Sequence, residues 1–142
     1  GFLPEATLNY LARLGWSHGD QEIFTIPELV DGFDPANINK PAGAWDMEKF
    51  EWVNAQHMKL CTAAQLAAEV KPFLPADWIR TLGDHFLETA AGLVRERART
   101  LVELAAAMAP LVRISVEYEA PVGLLGSMTT SARVAGDIRL RT

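Results

Sequence analysis

Asp46-Met47-Glu48-Lys49-Phe50-Glu51-Trp52-Val53-Asn54-Ala55-Gln56-His57-Met58 reads as one helix with one apolar side. Asp46 is an N-cap, because its carboxylate can accept the free amides of the first turn. Glu48 favours the positive end of the helix dipole. Met47, Phe50, Val53, His57 and Met58 recur at spacings of three and four, which predicts a buried stripe. A helix amphipathic in this way needs other helices to cover it, so the rest of the chain is read for partners.

Upstream, Pro4 and Glu5 suit a first helical turn. Leu3, Thr7, Tyr10, Leu11 and Leu14 then share a face, and Gly15 is the expected C-terminal stop. Ser17-His18-Gly19-Asp20 reads as a loop. Thr25-Ile26-Pro27-Glu28 is a capping box opening a short helix to about Phe33. The stretch from Asp34 to Gly43 reads as connector. Downstream, Thr62-Ala63-Ala64-Gln65 is a second capping box, and its helix ends before Pro72. The longest helix is expected next, with Trp78, Leu82, Phe86, Ala90 and Leu93 along one seam. Thr100-Leu101-Val102-Glu103 is a third capping box, opening a helix that Pro110 should stop. Val112 to Glu119 alternates apolar and polar residues, the period of a strand. Residues 121–142 fit no element and form an unassigned tail, for which the bland reading is a loosely ordered terminus. The fold class expected is all-α, a helical bundle.

Composition narrows the function. The 142 residues are 49% hydrophobic and 22% charged, a globular balance. Thirteen Lys and Arg against eighteen Asp and Glu give a net charge of −5, which excludes a strongly basic nucleic-acid binder. The acid excess lies in residues 1–79, with five basic and eleven acidic side chains. Residues 80–142 carry eight and seven, so an anionic partner should prefer that half. Cys61 is the single cysteine, so no internal disulfide forms and nothing points to an oxidising compartment. No apolar run approaches the ~20 residues of a membrane span. The chain begins without Met inside a structured segment, the mark expected of a fragment or a processed chain.

No constellation for catalysis or metal binding is visible. His18, His57 and His85 lack second ligands at metal spacing. His57 falls on an apolar stripe and reads as a satisfied core histidine. Cys61 reads as a buried thiol. Trp16, Trp45, Trp52 and Trp78 are expected to pack in the core, with stacking on bases as the sharper alternative. Arg95, Arg97 and Arg99 cluster between one helix end and the next capping box. A solvated face paired with Glu88, Glu96 or Glu103 is the plain reading, and phosphate or base contact the sharper one.

An ordered set of motifs resembles the bacterial-type glutamyl-tRNA synthetases. Gly1-Phe2-Leu3-Pro4-Glu5-Ala6 comes first, then Asn9-Tyr10-Leu11 and Leu14-Gly15-Trp16. Glu22-Ile23-Phe24-Thr25 follows, then Trp45-Asp46 through Trp52-Val53-Asn54, and finally Arg97-Ala98-Arg99-Thr100-Leu101-Val102-Glu103. The resemblance covers residues 1 to about 120, starting after the family's second ATP-site signature.

It implies a stem-contact, or linker, region over residues 1–60, and over 61–120 the first part of a helical anticodon-binding domain. Neither ATP-site signature, His-Ile-Gly-His type or Lys-Met-Ser-Lys type, is present. The implied piece is therefore inactive alone, without catalytic residues, metal or cofactor. ATP and Mg belong to the full-length cytoplasmic ligase with its Rossmann catalytic domain. The implied partner is the glutamate tRNA, with no DNA and no membrane. Arg97 matches the family arginine that faces the anticodon, and its planar fork suits a base edge. Lys49 and Lys59 become candidate phosphate contacts, followed by Arg99 and Arg13. Trp52 and Asn54 match the motif but read as structural, Asn54 satisfying backbone groups. His57 stands where the family usually has Tyr. The competing reading is a helical protein-interaction module that ignores RNA, favoured by an exposed apolar face on the Trp78 helix. A small independent enzyme lacks any visible acid, base or nucleophile set.

Overall fold

The computed structural model describes residues 1–38 and 43–119. The described residues are helical, with one isolated antiparallel bridge between Trp16 and Ile38. Seven α-helices follow in order: α1 Pro4–Gly15, α2 Ile26–Gly32, α3 Met47–Leu60, α4 Ala63–Val70, α5 Ala76–Thr81, α6 Asp84–Val94 and α7 Leu101–Glu119. Short 3-10 turns cover Pro35–Asn37, Lys71–Phe73 and Arg95–Arg97. Two compact units divide the chain, residues 1–111 and residues 112–142. Of the second unit, residues 112–119 are described and are helical. Among the described residues, no helix is long and apolar enough to cross a membrane.

The helix starts follow the local chemistry. Thr25 and Thr62 each accept from the third helical amide, and Glu28 and Gln65 reach back to the cap amides. Binding the Thr25 amide holds the Glu28 carboxyl below its ordinary value. Asp46 accepts the Lys49 amide. Thr100 accepts the Glu103 amide, but the Glu103 carboxylate takes the Arg99 amide in place of the cap's own.

Within the first unit, one core joins α1, α3, α4, α6 and the start of α7 around Leu3, Tyr10, Val53, Met58, Leu66, Leu87, Leu104 and Met108. A smaller cluster under α2 contains Trp16, Phe24 and Leu29. The Trp16 indole N–H is buried there without a partner among the described residues. Gly19 turns the loop after α1 at φ +58°, and a Cβ on Gly43 would strike the Leu14 carbonyl.

Buried amides tie these parts together. Asn9 is fully buried; its Oδ1 accepts the Phe24 amide at 2.8 Å and its Nδ2 donates to the Glu22 carbonyl at 2.9 Å. Those two partners fix which end of the amide is oxygen. His57 Nε2, 2.9 Å from the same Oδ1, is therefore the donating nitrogen. His57 is indeed a satisfied core histidine. Burial pushes its pKa below 6.5, with the Glu5 charge acting weakly the other way.

Several expectations change. Val112–Glu119 is helix, not strand, because α7 runs through Pro110. Apolar residues at every second position also form i,i+4 pairs, so the pattern suits either period. Pro110 is exposed, where the carbonyl it leaves unpaired can meet water. The expected long helix is broken into α5 and α6 by Leu82 and Gly83, with Gly83 as N-cap. Leu93 is consequently off the seam and 70% exposed. Leu11 and Met47, at 50% and 49%, also lie outside their stripes; Asn9 and Asn54 hold the buried places. The unassigned tail lies outside the described residues.

Asn9→Ala should destabilise the chain by about 3 kcal/mol, because the Phe24 amide and Glu22 carbonyl lose their buried partner. The neighbouring Leu11→Ala should stay within about 0.5 kcal/mol. Urea midpoints at unchanged slope measure both. A second outcome concerns pH. Folded His57 resists protonation, so the unfolded chain takes up its proton first as pH falls below 6.5. Stability should then fall with acidification below that value. His57→Gln, which keeps a donor for Asn9, should lose less between pH 7 and pH 5 than the parent in the same denaturation.

Candidate nucleic-acid interface

The arginine segment lies along α3. Arg95 Nη1 donates to the Cys61 carbonyl at 3.1 Å, Lys59 pairs with Glu96 at 3.2 Å, and Asn54 Nδ2 donates to the Arg99 carbonyl at 2.6 Å. Arg99 Nη1 also sits 3.8 Å from Glu51. As residues 95 to 99 advance, their partners on α3 and at its C-cap recede from Cys61 to Glu51. The strip therefore runs antiparallel to α3. It forms because the Arg95–Arg97 turn ends α6 and the Thr100 cap begins α7, leaving an extended Ala98 between them. Ala98 is buried and pins the strip, while Arg97 and Arg99 stay exposed.

This arrangement unites three of the five cations selected from the sequence: Lys59, Arg97 and Arg99. Among the described residues, Arg97 has no ion-pair partner and no side chain fixes its guanidinium. The other two lie elsewhere. Arg13 and Lys49 line a cleft with Tyr10, Glu22 and Asp46. Arg13 reaches the Trp16 carbonyl at 3.5 Å, and Lys49 holds Glu22 at 2.5 Å. Lys49 and Lys59 are ten residues apart on α3, about 15 Å along its axis.

Three of the five cations are thus matched to carboxylates. The Lys49 and Lys59 pairs are about half exposed, as is Arg99 itself. Such pairs hold little net energy in water, so a phosphate can compete for each cation. Arg95, by contrast, serves structure, joining the end of α6 to the end of α3.

Two tryptophans depart from the core packing expected of them. Trp52 is 38% exposed, with Lys49 Nζ 4.1 Å from its ring centroid. Trp45 is 57% exposed, edge-on to Tyr10 and Phe50. The signal was available for Trp52, since it falls opposite Asn54 on the helical wheel. Cys61 is half-buried, its Sγ 3.4 Å from the His57 carbonyl. Burial raises its pKa, and Arg95 offsets this only in part. Among the described residues, no group of three or more His, Cys, Asp or Glu could hold a metal.

The chain has extensive relatives. It is 47% identical over 112 residues to a glutamate–tRNA ligase of Oleidesulfovibrio alaskensis, covering 79% of this chain and 24% of that protein. It is 48% identical over 107 residues to the glutamate–tRNA ligase of Nitrosospira multiformis, covering 74% and 23%. The crystal structure of a glutamate tRNA ligase from Elizabethkingia meningosepticum superposes with a TM-score of 0.64. Its identity is 32%, over 75% of this chain and 21% of that one. No family model matches. The chain spans about a quarter of the length of the curated relatives it matches.

Single removal of Glu22, Glu51 or Glu96 as the Gln variant should change stability by less than about 1 kcal/mol, because each pair is partly solvated. Urea unfolding checks this. A larger loss would mean that the cations are locked and not available for exchange.

Proposed function

We propose that this chain, homologous to a quarter-length segment of the glutamate–tRNA ligases, is a tRNA-docking piece of such an enzyme. Residues 1–60 serve as the stem-contact region, and residues 61–120 as the first part of the anticodon-binding domain. Glutamate activation with ATP and Mg, and transfer to the glutamate tRNA, belong to a catalytic domain outside this sequence. The piece contributes position. Exposed Lys59 and Arg99, with Lys49 and Arg13 toward the other end of α3, take phosphates and set register. Arg97 reads a base, its fork donating two parallel hydrogen bonds or stacking.

The observation that carries this reading is the 95–99 strip. It presents Arg97 exposed and, among the described residues, unpaired, beside Lys59 and Arg99, in a chain 47% identical to a glutamate–tRNA ligase over 112 residues. An unpaired arginine needs no ion pair broken before it meets RNA. The net charge of −5 opposes RNA overall, so binding by this piece alone should be weak.

A second reading, the protein-interaction module, draws support from a different place than the sequence suggests. Trp78 is partly buried against the core. An apolar groove lies between α1 and α2 instead, lined by Leu8, Ala12, Ile26, Leu29, Val30 and Phe33. Nothing there identifies a protein partner, and the cationic strip favours RNA.

Titration with unmodified glutamate tRNA and with an unrelated tRNA, at two salt concentrations, tests the function. Affinity should fall with salt through counterion release. Arg97→Ala should cost roughly 1–3 kcal/mol with glutamate tRNA and narrow the preference over the unrelated one. Lys59→Ala should weaken both equally and reduce the salt slope by about one. Equal affinities untouched by Arg97→Ala would refute base reading, and absence of binding to either would favour the second reading.

A further inference from the structure

We propose that Asn54 is a positioning residue for base reading, linking the entry segment Gly1–Leu3 to the strip that carries Arg97. The inference rests on the tRNA-docking function and adds to it a route by which the bound strip communicates with the start of the chain.

Asn54 is fully buried, and both ends of its amide are committed to backbone. Oδ1 accepts the Leu3 amide at 2.8 Å, and Nδ2 donates to the Arg99 carbonyl at 2.6 Å. The partners are an N–H and a C=O, so the orientation is unique. A second bond runs parallel to this bridge: the Leu101 amide donates to the Gly1 carbonyl at 2.7 Å. Residues 1–3 are thereby registered against residues 99–101, far apart in sequence. The strip's other end is tied to the C-cap of α3 through Arg95 and the Cys61 carbonyl. Between these anchors, Arg97 has no side-chain partner among the described residues, so its placement depends on the backbone on either side. Two side chains anchor the Arg99 side: the exposed Glu103 carboxylate accepts the Arg99 amide at 2.7 Å, and the buried Asn54 amide donates to the Arg99 carbonyl. A load on Arg97 or Arg99 passes through the Arg99 carbonyl to Asn54 and on to Leu3. The coupling element is contiguous and polar, and it sits in a packed core that does not deform freely.

The test is a double-mutant cycle on the 142-residue chain, read by titration with a glutamate tRNA transcript. Asn54→Asp keeps an acceptor for the Leu3 amide and removes the donor to Arg99. It should weaken binding about tenfold, and combining it with Arg97→Ala should weaken binding little beyond Arg97→Ala alone. A merely structural Asn54 would give additive losses, which would overturn the proposal while leaving tRNA docking intact. If Asn54→Asp does not fold, the parent chain decides. Exchange of the Leu3 amide with solvent should slow several-fold when tRNA is bound; an unchanged rate overturns the coupling. Failure of the parent chain to bind tRNA at all overturns the docking function and this inference with it.

Discussion

Two buried asparagines hold the first unit in register. Apolar burial supplies most of the drive to fold, but it is non-directional and does not choose among neighbouring registers. Asn9 and Asn54 do. Asn9 binds the Glu22–Phe24 stretch and receives His57 from α3, so α1, the loop before α2 and α3 meet at one amide. Asn54 does the same for the entry segment and the loop before α7. A buried amide left half-satisfied is costly, whereas one with both ends paired costs little. The native arrangement is the one that completes both.

The same constraint explains how an acidic chain can present an exposed cationic strip. The carboxylates outnumber the cations, but the 95–99 strip is placed by main-chain bonds and by buried Ala98. Its outward side chains are free to be basic. Where Glu51 and Glu96 approach, the pairs are partly solvated, so they mute the local field without locking the lysine and arginine. On the proposed function, the acidic surround limits indiscriminate attachment to RNA. On that function, selectivity rests on the few cations carried by the fixed backbone of the strip.

Much of the architecture was legible in the sequence because capping is local. Thr25, Asp46, Thr62 and Thr100 each announce a helix start through hydrogen bonds that span three residues. The core faces of α3 and α4 follow from the 3.6-residue period. What escaped depends on tertiary context. The break at Gly83 and the continuation through Pro110 are settled by packing and solvent exposure, which propensity does not carry. The alternation from Val112 to Glu119 fits two periods equally. Arg97 and Lys59 could be chosen from the sequence, but their union with Arg99 could not, because the antiparallel run of the strip along α3 is a long-range fact. Residue type alone assigns Trp52 and Trp45 to the core; a helical wheel anchored on Asn54 turns Trp52 outward.

On the proposed function, the strip beside α3 faces RNA. Modification of arginine side chains by phenylglyoxal, with and without bound glutamate tRNA and mapped by mass spectrometry, tests it most directly. Arg97 and Arg99 should be protected, with Arg80, exposed and paired with Asp77 on α5, modified equally in both states. Protection of Arg80 with Arg97 still reactive would place the RNA elsewhere and contradict docking at the strip.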